Sequence, residues 1–386
     1  MINVAIWGTE KISLLLKEII EKMYNKVVVG KGGDTLEVKG FVYEGEMKKM
    51  PDTHDVYSVY DMISKYKSGE IHVFIIPIDL FVGVRNSLFL LLAAGVDEND
   101  IYLFERASKF ESNHVEDMIE PYLSKPYLPY LEYHVADHCN LNCRACEHYS
   151  GLVENPKYPV FDEFKKQFIR LKELINDIGV IRILGGEPLL NKEIEKYLEL
   201  TRKLYPEASI CIVTNALLIK SMPDSLFDTM KRENIYFSIS FYPPLENSMN
   251  DILSFLKEKE VQYIIFEMAK KFTMKQTLVR KSDMNYFRRC YQARCNNFYE
   301  GKLAACFLPF TTNYFNEAFK DKLSEPIPLD GAIDIMQDDV TVEKIKKWLI
   351  TPFDRCRYCT DPIEIDWSVV GKDRKLEDWV QLNKKN

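Results

Sequence analysis

The sequence lacks any run of apolar residues that approaches the roughly 20 needed for a helix to span a bilayer. At its N-terminus, Met1 leads directly into a predicted strand, without the basic region, apolar core and small-residue cleavage site of a secretory signal. These absences disfavour a membrane protein and a secreted protein. We therefore expect a cytoplasmic protein that does not act at a membrane.

An excess of basic residues is also missing. The 386 residues include 51 Lys and Arg against 58 Asp and Glu, a formal net charge of -7, and the cations are scattered among the acids. Proteins that bind a phosphate backbone concentrate positive charge on one face, so we expect no nucleic-acid partner. Hydrophobic residues make up 46% of the chain, which is typical of a globular protein, and the length predicts two or three domains.

Cysteine, in contrast, is well represented. Nine cysteines in a cytoplasmic chain favour metal or redox chemistry over disulfides. Cys139, Cys143 and Cys146 follow a predicted strand at residues 130–135 and form a segment that we call the cysteine loop (residues 139–146). Iron-sulfur clusters that only carry electrons usually have four cysteine ligands. A group of three predicts a cluster with one open iron, although zinc or unrelated thiols remain alternatives on this spacing alone.

A second motif lies downstream. An apolar segment that is typical of a buried strand ends in four residues that we call the glycine turn: Gly185, Gly186, Glu187 and Pro188. Glycines at the end of a strand allow backbone to approach a ligand closely. The glycine turn is therefore a candidate binding element beside the predicted cluster.

Together the cysteine loop and the glycine turn resemble the radical S-adenosylmethionine (SAM) superfamily. The resemblance continues in two segments that look like the third and fourth strands of the family's barrel, residues 209–213 followed by Thr214-Asn215-Ala216, and residues 236–241. It implies a chain of the α/β class with a partial (β/α)6 barrel. In that barrel the cysteine loop follows the first strand and the glycine turn follows the second.

The resemblance also implies two cofactors. A [4Fe-4S] cluster would be held by Cys139, Cys143 and Cys146, and SAM would bind its open iron. The glycine turn would hold the methionine part of SAM, with Asn215 and Ser240 as further SAM contacts. Cleavage of SAM would give a 5′-deoxyadenosyl radical that abstracts hydrogen from a substrate, so the barrel must exclude water and fix the substrate.

The chain departs from the family pattern at three positions. Ala145 stands where an aromatic residue usually precedes the third cysteine and meets the adenine with its backbone. Ala216 replaces a usual glycine, and Phe241 replaces an acidic residue. His148 and Tyr149 are candidates to supply a ring near the adenine, with local packing as the alternative.

The predicted barrel also contains residues to which we assign packing roles. Phe164, Phe168 and Leu171 recur at helical spacing and are expected to bury one face of the first crossover helix. Cys211 lies in an apolar strand and is expected to be a packed thiol, because buried cysteine behaves as a small hydrophobe.

Residues 1–122 alternate predicted strands and helices in the order of a small doubly wound parallel sheet. In the first turn, Glu10 and Ser13 occupy the second and third glycine positions of the dinucleotide fingerprint. Glu10 would put a negative charge beside the pyrophosphate, so the turn does not fit a dinucleotide-binding site. The segment resembles the small Rossmann-like modules that precede catalytic domains in surface-polysaccharide and nucleotide-sugar enzymes. Substrate or partner binding and a purely structural role remain alternatives.

The last third of the chain holds a second group of cysteines. It resembles the twitch domain, the shortened form of the SPASM domain, which implies a second, auxiliary [4Fe-4S] cluster. The resemblance assigns Cys306, Cys356 and Cys359 as ligands. The first ligand is Cys295 or Cys290, and Cys295 is preferred because it lies closer to the Gly-x4-Cys hairpin. A zinc ion bound by four thiolates is the alternative.

These assignments predict three domains. A Rossmann-like module would cover residues 1–122, the radical SAM partial barrel residues 123–285, and the twitch/SPASM-like auxiliary-cluster domain residues 286–386. The predicted function is that of an oxidoreductase or epimerase acting on a sugar or cyclitol carbon, since twitch-bearing enzymes that resemble this chain oxidise aminocyclitols. Epimerisation requires a hydrogen donor, and Cys290 is the candidate catalytic residue.

Other classes of function are less well supported. A peptide maturase that modifies a ribosomally made precursor peptide is the main alternative, but residues 1–105 do not resemble the winged-helix module that such enzymes often carry. A non-enzymatic iron-sulfur or zinc scaffold would have no use for the glycine turn. The expected partners are a small sugar-like or cyclitol-like substrate and a flavodoxin- or ferredoxin-type reductant.

Overall fold

The computed structural model of the chain forms two compact units, residues 1–125 and 126–386. It describes the following residues: 2–8, 13, 14, 16, 17, 20, 28, 29, 34–43, 55–78, 85–105, 119–121, 126–282, 287, 290–371 and 373–382. The division lies close to the predicted boundary after residue 122. The predicted boundary after residue 285 falls inside the second unit and stays a prediction.

The first unit contains a mainly parallel sheet. Its strands and helices are β1 (Ile2–Trp7), β2 (Val28–Val29), β3 (Asp34–Tyr43), β4 (Val56–Ser58), α1 (Val59–Lys67), β5 (Val73–Ile78), α2 (Arg85–Ala93), β6 (Ile101–Glu105) and β7 (Ile119–Pro121). The strand order is β2-β3-β1-β5-β6-β7, with β4 beside β3. Strands β4, β3, β1, β5 and β6 are parallel neighbours, as the alternation of strands and helices predicts.

The first strand has the composition expected of a parallel sheet covered on both faces. Val4, Ala5 and Ile6 are consecutive and fully buried. In the turn that follows, the hydroxyl of Ser13 donates to the carbonyl of Trp7 at 3.1 Å. Glu10 and most of the predicted first helix lie outside the described residues, and the likeness to Rossmann modules stays a prediction.

The second unit is built on a sheet with the order β12-β11-β10-β9-β8-β14-β15-β16. Its first part consists of β8 (Tyr127–Ala136), α3 (Phe161–Leu174), β9 (Asp177–Gly185), α4 (Ile194–Leu204), β10 (Ser209–Thr214), α5 (Asp224–Arg232), β11 (Ile235–Ile239), α6 (Met249–Glu258) and β12 (Tyr263–Ile265). Strands β8 to β12 are parallel neighbours joined by these helices. This arrangement gives the strand and helix order predicted for the start of the barrel.

The C-terminal part of the second unit extends the same sheet. It consists of β13 (Lys271–Gln276), β14 (Asn297–Tyr299), β15 (Lys302–Ala304), α7 (Leu308–Ala318), β16 (Ala332–Asp334), α8 (Val342–Ile350) and β17 (Cys359–Asp366). Strand β14 is parallel to β8, β15 and β16 continue antiparallel, and β13 pairs with β17 in a separate ladder. In the described part of the chain, no helix has the length and apolar character needed to cross a bilayer.

The crossover helices cover one face of this sheet. Phe164, Phe168 and Leu171 are buried, which confirms the predicted apolar stripe, and they pack in one core with Tyr133 of β8 and Ile181 of β9. Side chains alternate between the two faces of a strand. The neighbours of these strand residues therefore point to the opposite face, which we call the interior face, and several of them are charged or polar.

Candidate active site

The cysteine loop follows β8 at the carboxyl end of the strand. Cys143 is buried, and Cys139 and Cys146 are half-buried. Burial raises the pKa of the Cys139 and Cys143 thiols to about 12 and also raises that of Cys146. These thiols are therefore protonated at neutral pH, and a metal that binds them as thiolates must displace protons.

The chemistry of the three thiols fits an iron-sulfur cluster. Cys146 and Cys143 act electrostatically on Cys139, and Cys146 acts on Cys143, so each thiol lies within the electrostatic range of another. Among the described residues, no three His, Cys, Asp or Glu side chains are arranged around one point where a single metal ion would sit. A cubane binds each thiolate through a different iron atom, so its ligands need not converge on one point.

The glycine turn packs directly on the cysteine loop. The N–H of Gly186 donates to the carbonyl of Ala136 at 2.9 Å, and the N–H of Glu187 donates to the carbonyl of His138 at 2.9 Å. A Cβ atom added to Gly185 would lie 2.0 Å from the Ala136 oxygen, and one added to Gly186 would lie 2.1 Å from the His138 oxygen. The close approach that requires glycine is thus an approach to the backbone that leads into the cysteine loop, at Ala136 and His138.

The Glu187 carboxylate joins the glycine turn to the next strand. It is buried and accepts hydrogen bonds from the Thr214 hydroxyl at 2.7 Å and from the Asn215 N–H at 2.9 Å. Burial raises its pKa to about 7, although these donors oppose the rise. The Asn215 amide donates to Asn140 at 2.7 Å and lies 3.6 Å from the Cys139 sulfur. Three predicted motifs are therefore linked by hydrogen bonds at one edge of the sheet.

Two of the positions that depart from the family pattern, Ala145 and Ala216, have an unusual backbone conformation. Ala145 and Ala216 both adopt positive φ, 57° and 62°, which explains why a glycine is usual at the second position. Ser240 lies at the same edge, where its N–H donates to the Thr214 carbonyl at 2.9 Å.

The two aromatic candidates near the cysteine loop are packed elsewhere. The His148 ring stacks on Phe307 with a centroid distance of 3.9 Å. Tyr149 is fully buried and packs on Phe315. Local packing, the alternative for His148 and Tyr149, is confirmed.

The C-terminal segment, residues 367–380, covers the cysteine loop. Cys143 forms an isolated antiparallel bridge with Val369, and the Ala145 N–H donates to the carbonyl of Asp378 at 2.7 Å. Two further backbone hydrogen bonds join Arg144 N–H to the Ser368 carbonyl at 2.8 Å and Val370 N–H to the Asn142 carbonyl at 2.7 Å. Sequence reasoning missed this contact, because backbone hydrogen bonds leave no residue signature.

A second group of thiols lines a small cavity near the C-terminal part of the sheet. The group comprises Cys290, Cys306, Cys356 and Cys359. Cys295, the residue preferred from the sequence, is not among the residues that line this cavity and instead acts electrostatically on Tyr130 of β8. The 3-10 turn at Tyr291–Arg294 separates the two candidates. The structure therefore brings Cys290, rather than Cys295, to the other three thiols.

Burial also dominates the chemistry of this second group. It raises the pKa of Cys356 to about 12 and that of Cys359 to about 11, and the Arg355 guanidinium opposes the rise at both thiols. Burial raises the pKa of Cys306 well above its usual value. Four thiols in one cavity form the donor set of a four-cysteine cluster. A zinc ion, the alternative, needs its thiolates around one point, an arrangement that the described residues do not show.

A polar cluster joins residues that neighbour the two thiol groups in sequence; we call it the bridging cluster (Glu147, Lys275 and Gln292). Lys275 and Gln292 are buried, and Glu147 is half-buried. Glu147 directly follows Cys146, and Gln292 lies two positions after Cys290. The Glu147 carboxylate accepts from the Gln292 amide and lies 3.1 Å from the Lys275 ammonium, whose side chain is 0% exposed. No sequence signal marked these residues, since they come from three separate segments.

Polar side chains also line the interior face of the sheet. Glu132 lies 3.8 Å from the Arg182 guanidinium and accepts from the Asn297 amide at 3.2 Å. Burial lowers the pKa of His134 to about 4, which keeps this imidazole neutral. Cys211 is buried beside Arg182, in agreement with its expected role as a packed thiol.

The packing of the glycine turn leads to a prediction. Gly186→Ala should force the cysteine loop away from the turn, because the new Cβ would lie 2.1 Å from a backbone oxygen. Overpacking of this kind costs about 1–3 kcal/mol. We expect a lower midpoint of urea denaturation and reduced iron binding after anaerobic reconstitution. Gly371→Ala is the control, since a Cβ there meets nothing within 4 Å; equal behaviour of the two variants would contradict the interpretation.

Comparison with known protein families adds an independent finding. Residues 133–265 match the family model described as the Radical SAM superfamily. A GTP 3′,8-cyclase of Sulfurimonas denitrificans is 33% identical over 108 residues, which are 28% of this chain and 33% of that protein. A GTP 3′,8-cyclase of Clostridium acetobutylicum is 39% identical over 111 residues, 28% of this chain and 34% of that protein. The chain thus spans about a third of the length of these relatives.

Among solved structures, BtrN in complex with AdoMet and 2-DOIA is 15% identical and covers 61% of this chain and 93% of its own, with a TM-score of 0.36. A TM-score this low carries no argument about function. The family match covers the cysteine loop, the glycine turn and the third and fourth strands, where the hydrogen bonds described above converge. Residues 133–265 of this chain therefore form a radical SAM domain.

Proposed function

We propose that the chain removes a hydrogen atom from a C–H bond of a polar small molecule and oxidises a sugar or cyclitol carbon. The radical SAM domain at residues 133–265 implies a [4Fe-4S] cluster and SAM as cofactors, which together supply a 5′-deoxyadenosyl radical when bound. The observation that carries the proposal is the bridging cluster, because Glu147, the residue after Cys146, contacts Gln292, which lies two positions after Cys290.

The first thiol group is the proposed ligand set of the radical cluster. Cys139, Cys143 and Cys146 offer three thiols on one loop and leave one iron for SAM. The glycine turn, Asn215 and Ser240 are the proposed SAM contacts. Their hydrogen bonds to the cysteine loop and to the neighbouring strand support this assignment, since they hold all these elements at one edge of the sheet.

The second thiol group is the proposed ligand set of an auxiliary cluster. Cys290, Cys306, Cys356 and Cys359 line one cavity, and four thiolates complete a [4Fe-4S] cluster without an open iron. This assignment takes Cys290 away from its predicted role as a hydrogen donor. Oxidation is therefore favoured over epimerisation, for which Cys290 was the candidate hydrogen donor.

Oxidation gives the two thiol groups complementary tasks. A secondary alcohol becomes a ketone when its carbon loses a hydrogen atom, its hydroxyl loses a proton and the resulting radical gives up one electron. SAM, when bound, would supply the radical that takes up the hydrogen atom, and a cluster held by Cys290, Cys306, Cys356 and Cys359 would accept the electron. A flavodoxin- or ferredoxin-type protein is the proposed source of the electron that starts the reaction.

The polar interior supports an uncharged, hydroxyl-rich substrate. Glu147, Lys275, Glu132, Arg182 and neutral His134 offer donors and acceptors for hydroxyl groups. The two cations are each paired with a carboxylate, at 3.1 Å for Lys275 and 3.8 Å for Arg182. A triphosphate needs several uncompensated cations, so GTP, the substrate in the relatives' name, is the less favoured candidate. That name still points to a ribose carbon, which agrees with chemistry at a sugar.

The first test concerns the radical cluster. Cys143→Ala removes one proposed ligand, and we expect formation of 5′-deoxyadenosine from SAM under strong reductant to fall at least ~100-fold, since a cluster with a missing ligand cannot hold SAM for reduction. Cys211→Ala, which removes a buried thiol outside both groups, should leave the yield within about threefold. An unchanged yield in Cys143→Ala would contradict the assignment; the readout is chromatography of anaerobic reactions.

The second test concerns the auxiliary ligands. The reconstituted chain should hold about 8 iron atoms, and Cys290→Ala should lower the count to about 4 because the auxiliary cluster is lost. Cys295→Ala should leave about 8 and serves as the matched control. A loss of iron in Cys295→Ala but not in Cys290→Ala would reverse the assignment. Zinc in the wild-type chain, with about 4 irons, would contradict the second cluster.

The third test concerns the substrate. Anaerobic reactions with cyclitols and aminocyclitols, hexoses, GTP and short peptides should show substrate-dependent SAM cleavage only with the polyols. One ketone should form for each 5′-deoxyadenosine, as measured by mass spectrometry. Turnover of GTP or of a peptide without any polyol turnover would contradict the substrate class.

A further inference from the structure

Arg355 is fully buried in the wall of the four-thiol cavity. It lies in the 3-10 turn at Asp354–Tyr358, directly before Cys356, and its side chain is 0% exposed. Arginine is almost never fully buried unless it is paired with an anion. The buried guanidinium of Arg355 therefore requires a negative charge nearby.

The hydrogen-bond partners of this guanidinium, within the described part of the chain, are neutral groups. Nε donates to the Thr312 hydroxyl at 3.0 Å, and Nη2 donates to the side-chain oxygen of Gln276. Nη1 points to the Cys359 sulfur at 4.0 Å. None of these groups is a carboxylate, so the positive charge is not neutralised by an ion pair.

The carboxylates of Asp330, Glu147 and Asp354 are engaged elsewhere, that of Asp354 with Arg280 and Arg357. Asp330 accepts the backbone N–H groups of Asp354 at 2.6 Å and of Arg355 at 3.0 Å, and so fixes the turn without touching the guanidinium. Glu147 interacts electrostatically with Arg355 but is paired with Lys275 at 3.1 Å. The side of the guanidinium that faces the thiols is left to interact with whatever occupies the cavity.

We propose that Arg355 is the counter-ion of the auxiliary cluster and raises its reduction potential. The inference rests on the proposed function, which puts a four-thiolate cluster in this cavity. A cluster with four thiolates is an anion, and each electron that it accepts makes it more negative. A fixed positive charge in a dry site stabilises the reduced form more than the oxidised form. Arg355 thereby favours transfer of the electron from the substrate radical.

The test is a redox titration of the reconstituted full-length chain, followed by electron paramagnetic resonance. SAM is present, so that the radical cluster is distinguished by its response to SAM. At the midpoint potential of the wild-type auxiliary cluster, Arg355→Gln should lower the ratio of reduced to oxidised cluster at least ~10-fold, which is a shift of about 59 mV for a one-electron couple. Arg355→Lys keeps the charge and should stay within about threefold.

The matched control is Arg357→Gln, two positions along the same turn. Arg357 is partly exposed and bonds Asp354 at 2.9 Å as well as the Lys281 and Ser282 carbonyls, away from the thiols. Removing its charge should leave the reduced fraction unchanged. An equal shift in Arg357→Gln would overturn the proposal, because the effect would then be a general one of charge.

Two further outcomes would also overturn the inference. The first is a normal iron content in Arg355→Gln with an unchanged reduced fraction. The second is loss of the auxiliary cluster in both Arg355→Gln and Arg355→Lys, which would indicate a packing role. If Arg355→Gln loses the cluster and Arg355→Lys retains it, the charge is required and the proposal stands. Failure of the proposed function is recognised separately, since the wild-type chain would then lack a second redox couple.

Discussion

The site depends on a backbone contact between the ends of two neighbouring strands. Gly185 and Gly186 lie so close to the carbonyls of Ala136 and His138 that no side chain fits between them. This contact fixes the start of the cysteine loop against the second strand. Hydrogen bonds of Glu187 then extend the arrangement to the third strand. The position of the cysteine loop thus depends on glycine at both positions, because a residue with a Cβ atom would not fit there.

Much of this site was predictable because it is encoded by residues close together in sequence. The cysteine loop, the glycine turn and the stripe around Phe168 are local patterns, and a spacing of a few residues determines what each can bind or bury. The choice between Cys290 and Cys295 was not of this kind. A short 3-10 turn between the two cysteines determines which thiol lies beside the other three. The number of residues that separates each cysteine from the hairpin does not show in which direction its side chain points.

Buried charge was hidden from the sequence for a related reason. Lysine, arginine and glutamate are mostly exposed, so a pattern that contains them favours a solvated face. Here Lys275 and Arg355 are fully buried and Glu147 is half-buried, and their partners come from distant segments. Such charges are stable only when opposite charges or donors surround them. They therefore mark the region of the second unit in which chemistry, rather than packing, determines the residue type.

The contact of residues 367–380 with the cysteine loop also sets the order of events during synthesis. A ribosome releases Cys143 more than two hundred residues before Val369, so the nascent loop lacks the antiparallel partner that later covers it. Iron delivered at that stage would meet an incomplete binding loop. A chain that lacked residues 367–380 would therefore leave a loop encoded far upstream without these backbone hydrogen bonds.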